Sequence, residues 1–286
     1  FSPPGKRGLI GSVQQFSVGL ALIAATLTAT FLNSWLSKEA MIEWGWRVPF
    51  LIGFVLAPVG LYLRARVHET PAFSRTVEKK DVAHNPFLEA VTTHRLPVLA
   101  AFGLSAIGTV GNYTYNIYLP TYASKTMGIA PSTAFTSATM AAVVLTVLTP
   151  VMGWASDKIG RKPLLIASAI FYGVLSYPAF LWLAGSHSGT SLIVVQSLSA
   201  VLLAMYAGPL CAILAELFPT KVRFTALSIG YGMSVTLFGG CAPFIAEFLI
   251  NQTKNPVSPS FFLVFAAIVS AVTLFVMKDR TNAPLD

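Results

Sequence analysis

The sequence predicts an all-α membrane protein, and three observations carry that prediction. Hydrophobic residues make up 55% of the 286 positions and charged residues only 10%, where a soluble domain carries about 25% charged residues. The apolar residues fall into eight long runs, most of them near the roughly 20 residues that a helix needs to cross hydrocarbon. The lysines and arginines sit between those runs, apart from Arg47 near the start of the second. A chain in lipid must satisfy its own backbone, so runs of this length are read as helices. The expected spans are Leu9–Trp35, Trp44–Leu63, Leu96–Tyr118, Phe135–Ala155, Leu164–Leu183, Leu192–Leu217, Ala226–Ile250 and Phe261–Met277.

The first span follows Ser2-Pro3-Pro4-Gly5-Lys6-Arg7-Gly8, a stretch with the look of an interhelical loop. A signal peptide would have a shorter apolar segment. With Phe1 in place of a starting Met, the expectation is a fragment whose N-terminal part is missing. Trp35, Trp44 and Trp46 bracket the link to the second span, where amphipathic rings favour the membrane interface. Tyr118, Tyr122 and Trp182 lie near later span ends.

Arg64–Arg95 is the longest polar segment and the expected domain boundary. It divides the chain into 1–65, a connecting loop 66–95, and 96–286. Thr70-Pro71 and Asn85-Pro86 are helix-start signals, a capping side chain followed by proline at the first helical position. One or two short interfacial helices and a solvated linker both fit this loop.

The third span is the polar one, with Asn112, Tyr113, Tyr115, Asn116, Tyr118, Thr121 and Tyr122. Polar groups within a membrane are costly and usually face a cavity or another helix. Between the fourth and fifth spans lies Gly153-Trp154-Ala155-Ser156-Asp157-Lys158-Ile159-Gly160-Arg161-Lys162. This is a tight turn with three cations and one carboxylate. Its glycines permit close helix contact and a sharp reversal.

Alternating the spans from this turn puts fifteen of the 19 lysines and arginines on one side. Lys38, Arg47, Lys125 and Lys254 are left on the other. Positive charge prefers the inside, so the turn and the Arg64–Arg95 loop are assigned to the cytoplasm. The net charge of +8 therefore reads as topology. No basic stripe with interleaved aromatics occurs, and nucleic acid is not an expected partner. Cys211 and Cys241 fall inside apolar runs and imply no disulfide framework. His68, His84, His94 and His187 make no metal-ligand spacing with one another or with cysteine, so no metal and no cofactor are expected. H-E-x-x-H and G-x-S-x-G are both absent from the sequence, which argues against a membrane enzyme.

The pattern G-x-x-x-D-x-x-G-R-K over 153–162 resembles the signature loop of the major facilitator superfamily of secondary transporters. Trp44-Gly45-Trp46-Arg47-Val48-Pro49-Phe50, His68-Glu69-Thr70-Pro71-Ala72-Phe73, Ala215-Glu216-Leu217-Phe218-Pro219-Thr220-Lys221-Val222-Arg223, and Phe238-Gly239-Gly240 with Pro243 narrow the resemblance. Together they look like the metabolite:proton symporter family, whose members carry citrate, 2-oxoglutarate, shikimate, or proline and betaine. The resemblance covers essentially the whole chain. It implies helices 5–12 of a twelve-helix transporter, a monomer in the plasma (inner) membrane of a bacterium. Its partners would be the lipid bilayer, a small organic substrate and a proton.

Site residues follow from the same resemblance. The third span would line the central cavity, making Asn112, Tyr115 and Asn116 the first substrate contacts. Tyr118 on the same span, and Gln196, Tyr206 and Tyr231 on later spans, join them. Tyr118 and Tyr122 fit either an outer gate or an interface belt. Gln14 and Gln15 fit either the cavity or packing, and Glu247 either a proton carrier or a snorkelling carboxylate. The gating set would be Gly153, Asp157, Gly160, Arg161, Lys162, Glu216 and Arg223. Asp157 would sit near the helix start at Pro219–Phe224, and Glu216 would pair with Arg161. Uncoupled transport or export on the same fold, and a sensor without flux, are the alternatives to proton-coupled symport.

Overall fold

The computed structural model of the chain describes residues 3, 5–66 and 85–277. Thr70-Pro71, the His68–Phe73 motif and His84 lie outside the described residues. The described part is helical, with no strand among its residues. Among the described residues, eight helices are long and apolar enough to cross a membrane. They are α1 (Arg7–Trp35), α3 (Gly45–Arg66), α5 (Arg95–Thr126), α6 (Pro131–Ile159), α7 (Arg161–Ser186), α8 (Gly189–Glu216), α9 (Arg223–Thr253) and α10 (Pro259–Val276). Two short helices join them, α2 (Lys38–Glu43) and α4 (Pro86–Thr92).

Local chemistry sets the element ends. Asn85 caps α4 by accepting from Leu88 N–H at 3.0 Å, with Pro86 at the first helical position. This is the start signal that the sequence carries. Ser37 caps α2 in the same way, accepting from Ala40 N–H at 3.2 Å. That helix has no counterpart among the expected spans. α3 is interrupted at Leu56, two residues before Pro58, because a proline has no N–H for the preceding turn. The turn between α6 and α7 is one residue long. Gly160 takes φ +100°, a conformation that an L side chain rarely adopts.

α5 and α9 run further than expected. Each contains a π-helical segment, Asn112–Tyr118 in α5 and Val235–Gly240 in α9. In α5 the helix continues through Pro120 to Thr126 instead of ending at Tyr118, because the proline sits in the first turn of the segment that resumes. π segments are rare and concentrate at functional sites.

α8 is the most buried span, and α3 has no buried residue apart from Gly45. α1 packs along α6 and α8, α6 along α8, α5 against α9 and α10, and α7 against α8 and α10. The seam between α1 and α6 is made of small residues. Gly8 lies on Gly153 and Ser156, Gly153 lies on Ser12, and Gly19 lies on Thr146. Gly208 of α8 closes on the α6 backbone at Gly153. With lipid as apolar as leucine, close backbone approach and dispersion hold such helices together.

A methyl group at Gly153 would stand 2.7 Å from Gly8 O, and one at Gly208 would stand 2.7 Å from Gly153 N. Neither neighbour can swing away, since both are backbone. Gly153→Ala and Gly208→Ala are each expected to lose about 1–3 kcal/mol, the usual result of overpacking. Gly185→Ala meets nothing within 4 Å and is expected to be neutral or mildly stabilising. Thermal unfolding of the purified variants in detergent checks the contrast.

Candidate functional site

Four ionised side chains meet at the cation-rich end of the bundle. Arg7 opens α1, Asp157 lies in the last turn of α6, Arg161 opens α7, and Glu216 closes α8. Arg7 Nη1 donates to Glu216 Oε1 at 3.1 Å, and Arg161 Nη1 donates to Glu216 Oε2. Arg161 Nη2 lies 3.7 Å from Asp157 Oδ1. Asp157 also accepts from two backbone amides of α1, Gly8 N–H at 2.7 Å and Leu9 N–H at 2.9 Å. Side-chain exposure is 0% for Arg161, 3% for Asp157, 5% for Glu216 and 11% for Arg7. Burial this deep takes the cluster out of the class of surface pairs worth about 0–1 kcal/mol.

Glu216 meets Arg161, as the resemblance implies. Asp157 does not approach the start of α9. It caps the first turn of α1 instead. The reason is packing: α6 lies along α1 through Gly8 and Gly153, so the last turn of α6 ends over the exposed amides of α1. An unpaired helix N-terminus attracts a carboxylate wherever the backbone presents one. The rest of the expected gating set surrounds this cluster without joining it. Lys162 Nζ donates to Met277 O at 2.7 Å, tying the start of α7 to the end of α10. Arg223 Nε donates to Phe218 O at 3.0 Å. Lys221 pairs with Glu89 of α4 at 2.8 Å. Gly153 supplies the close approach, and Gly160 the turn.

A cavity of about 490 Å³ lies on the far side of the small-residue seam, between α1, α5, α6, α8 and α9. Its polar lining comes from Gln15, Thr109, Asn112, Tyr113, Thr149 and Tyr231. Asn112 Oδ1 accepts from Asn116 Nδ2 at 3.0 Å, which leaves the Asn112 amide hydrogens for the cavity. The hydroxyls of Tyr113 and Tyr231 have no hydrogen-bond partner among the described residues. Tyr206 contributes its ring only, since its hydroxyl donates to Leu104 O. No charged side chain lines the cavity among the described residues.

The polar span is therefore split. Of the expected substrate contacts, Asn112, Tyr206 and Tyr231 line this cavity. Tyr115, Asn116, Tyr118 and Gln196 do not line it. Tyr115 is buried against Tyr172 and Phe180, with ring centroids 6.1 and 5.9 Å away. Asn116 reaches back to Asn112. Tyr118 donates to Glu247 Oε2 at 3.0 Å, and Lys125 pairs with the other carboxylate oxygen at 3.4 Å. Tyr122 donates to Pro256 O at 3.0 Å. Gln196 is buried between helices, holding the Tyr115 carbonyl. A tyrosine is an apolar body with one polar tip, so a single partner lets it serve as core.

Sequence reasoning missed Arg7 and Tyr113. Arg7 did leave a signal. A cation on the first turn of a helix opposes the helix dipole and calls for a carboxylate partner. Tyr113 lies four residues from Thr109 on one helix face, and the density of polar residues one position along drew attention away from it.

The fold and this arrangement define a class, the multi-pass membrane transporters of the major facilitator fold. The model matches the solved structure of the proton:xylose symporter XylE bound to 6-bromo-6-deoxy-D-glucose with a TM-score of 0.74 at 19% identity. The match covers 99% of this chain and 67% of that one. The profile of the family described as "Sugar (and other) transporter" matches residues 1–88 and 74–286. The chain belongs to that family, which consists of transporters and not enzymes. A proline/betaine transporter of Salmonella typhimurium is 30% identical over 294 residues, covering 100% of this chain and 58% of the relative. A citrate-proton symporter of Klebsiella pneumoniae is 30% identical over 282 residues, covering 99% of this chain and 63% of the relative. The chain thus spans about three-fifths of the length of these curated relatives.

Removing one partner of a buried ion cluster leaves an uncompensated charge and costs about 3–5 kcal/mol. Glu216→Ala takes the shared carboxylate away from two buried guanidinium groups and is expected to lower the unfolding midpoint sharply. Replacing Glu216, Arg161 and Arg7 together by methionine is expected to recover much of the loss. Thermal denaturation of the single and triple variants in detergent checks this.

Proposed function

We propose that the whole protein is a proton-coupled symporter of a small organic solute, a carboxylate or a zwitterion, working by alternating access in the plasma membrane of a bacterium. The observation that carries this reading is the cavity, with unpartnered hydroxyls of Tyr113 and Tyr231 and a neutral amide from Asn112 facing one space. Its volume falls in the range of roughly 300–1,000 Å³ typical of small-molecule sites. Neutral donors suit a carboxylate or another strong acceptor. The relatives named as proline/betaine and citrate-proton transporters support the solute class and the coupling. We assign the substrate's counter-charge and the proton-carrying group to the part of the relatives' length that this chain does not span.

The division of the chain that fits this mechanism is 1–65 in one half, 66–95 as the connection, and 96–286 as the six-helix other half. On that division the seam of α1 with α6 and α8 lies between the halves, and the buried charge cluster is the cytoplasmic gate. Asp157 holds α1 only while the gate is closed. A carboxylate on a helix N-terminus contributes about 0.3–1 kcal/mol, and up to about 2 when partly buried. Asp157→Asn keeps the shape and removes the charge. It is expected to shift the population toward inward-open by up to about tenfold, the factor that 1.4 kcal/mol represents. The labelling rate of a cysteine at position 15, introduced as Gln15→Cys and probed in inside-out vesicles, measures the shift. An unchanged rate overturns the gate.

Binding is tested with uptake of proline, betaine and citrate by the whole transporter. Tyr113→Phe and Tyr231→Phe each remove one hydroxyl donor, worth about 0.5–1.5 kcal/mol, and Asn112→Ala removes a whole amide. Each is expected to raise the half-saturating concentration several-fold at normal membrane levels. Uptake of none of the three solutes, or uptake that survives collapse of the pH gradient, overturns the reading.

A further inference from the structure

The π segment of α5 has an identifiable cause. Leu119 N–H donates five residues back, to Thr114 O, as a π-helix requires. The Tyr115 carbonyl then loses both of its intrahelical donors. Its α-helical donor, Leu119 N–H, is taken, and its π-helical donor would be residue 120, which is proline and has no N–H. An orphan carbonyl inside a membrane has no water to turn to. Gln196 supplies the partner. Its Nε2 donates to Tyr115 O at 2.8 Å from a side chain with no exposure, and its Oε1 accepts from the Ser137 hydroxyl. The amide is thus fixed from α6 as well as from α5. In an α-helix each residue turns the chain by about 100°, so the extra residue in the π segment decides which side chains before and after it share a face. Asn112 and Tyr113 open this segment and line the cavity, while Tyr115 in its middle and Tyr118 at its end are buried away from it.

We propose that Gln196 is a positioning residue for the cavity wall. By completing the carbonyl that Pro120 leaves open, it locks α5 in the π register that presents Asn112 and Tyr113 to substrate. The inference rests on the cavity being the substrate site, but it makes a separate statement about the backbone. Without the Gln196 donor, Leu119 N–H can return to Tyr115 O. The segment then re-registers, and the residues on either side of it turn relative to each other.

The test uses the whole transporter and two readouts. Gln196→Met keeps the length and removes both polar groups. It is expected to speed backbone hydrogen exchange across residues 114–121 about tenfold. It is also expected to raise the half-saturating concentration for proline, betaine or citrate by a similar factor, with the maximal rate unchanged. Pro120→Ala restores an N–H at position 120, which can bond Tyr115 O in the π register. The double variant Pro120→Ala/Gln196→Met is therefore expected to return both readouts to within about threefold of the parent. Ser137→Ala, which removes only the support for Gln196, is expected to move both in the same direction by a smaller factor and guards against loss of folding in the first variant. Unchanged exchange in Gln196→Met overturns the proposal. So does a double variant no better than Gln196→Met alone, the result expected if Gln196 touched substrate directly. Exchange that responds as expected, with uptake indifferent to both Gln196→Met and Tyr113→Phe, supports the backbone lock and overturns the cavity as the substrate site.

Discussion

The structure depends on reconciling two electrostatic preferences that conflict. The cations collect at one end of the bundle, the end that the positive-inside preference would place in the cytoplasm, and each long helix that starts there begins with one. Arg7, Arg95, Arg161 and Arg223 open α1, α5, α7 and α9. The helix dipole makes the same position unfavourable for a cation. At α1 and α7 the conflict is resolved by carboxylates from neighbouring helices. Glu216 joins the two arginines, and Asp157 takes the free amides of α1. The carboxylates reach these points only because the glycine seam lets α1, α6 and α8 approach to backbone contact. Small residues and buried charges are therefore one construction: removing a methyl group's worth of space at the seam would pull the charges apart.

Much of this was legible from sequence. The eight spans, the short helix after Asn85, and the meeting of Glu216 with Arg161 follow from length, capping chemistry and a signature loop. What could not be read was which helix would offer its N-terminus to Asp157. Two starts were available, at α1 and at α9, and only tertiary packing selects between them. The cavity wall was half legible for a related reason. Polarity marks a membrane residue as partnered, but does not say whether the partner is a ligand or a carbonyl. Tyr115, Tyr118, Tyr122 and Gln196 found partners inside the protein, whereas the hydroxyls of Tyr113 and Tyr231 have no hydrogen-bond partner among the described residues.

Proline acts in this chain at a distance from where it sits. Pro120 leaves its own segment helical and removes a donor from the turn before it. The effect then passes to Gln196 on another helix and to Ser137 on a third. α9 carries its own π segment with Pro243 just beyond it, and Gly239 there packs on Thr109 and Tyr113 of α5. The two irregular segments are neighbours beside one cavity. Both π segments thus flank the cavity proposed as the substrate site.

If the protein works by the alternating access proposed above, the glycine seam has a further consequence, for the entropy of each cycle. Fixing a rotamer-rich side chain costs up to about 2 kcal/mol, while glycine and alanine cost nothing. A seam closed by Gly8, Gly153, Gly19 and Gly208 freezes almost no side-chain motion when it shuts and frees almost none when it parts. Leucines in the same places would interlock, and every reopening would have to disengage them. The seam instead behaves like a smooth bearing surface. On that reading the preference for open or shut would be left to a few charges at one rim and to whatever occupies the cavity.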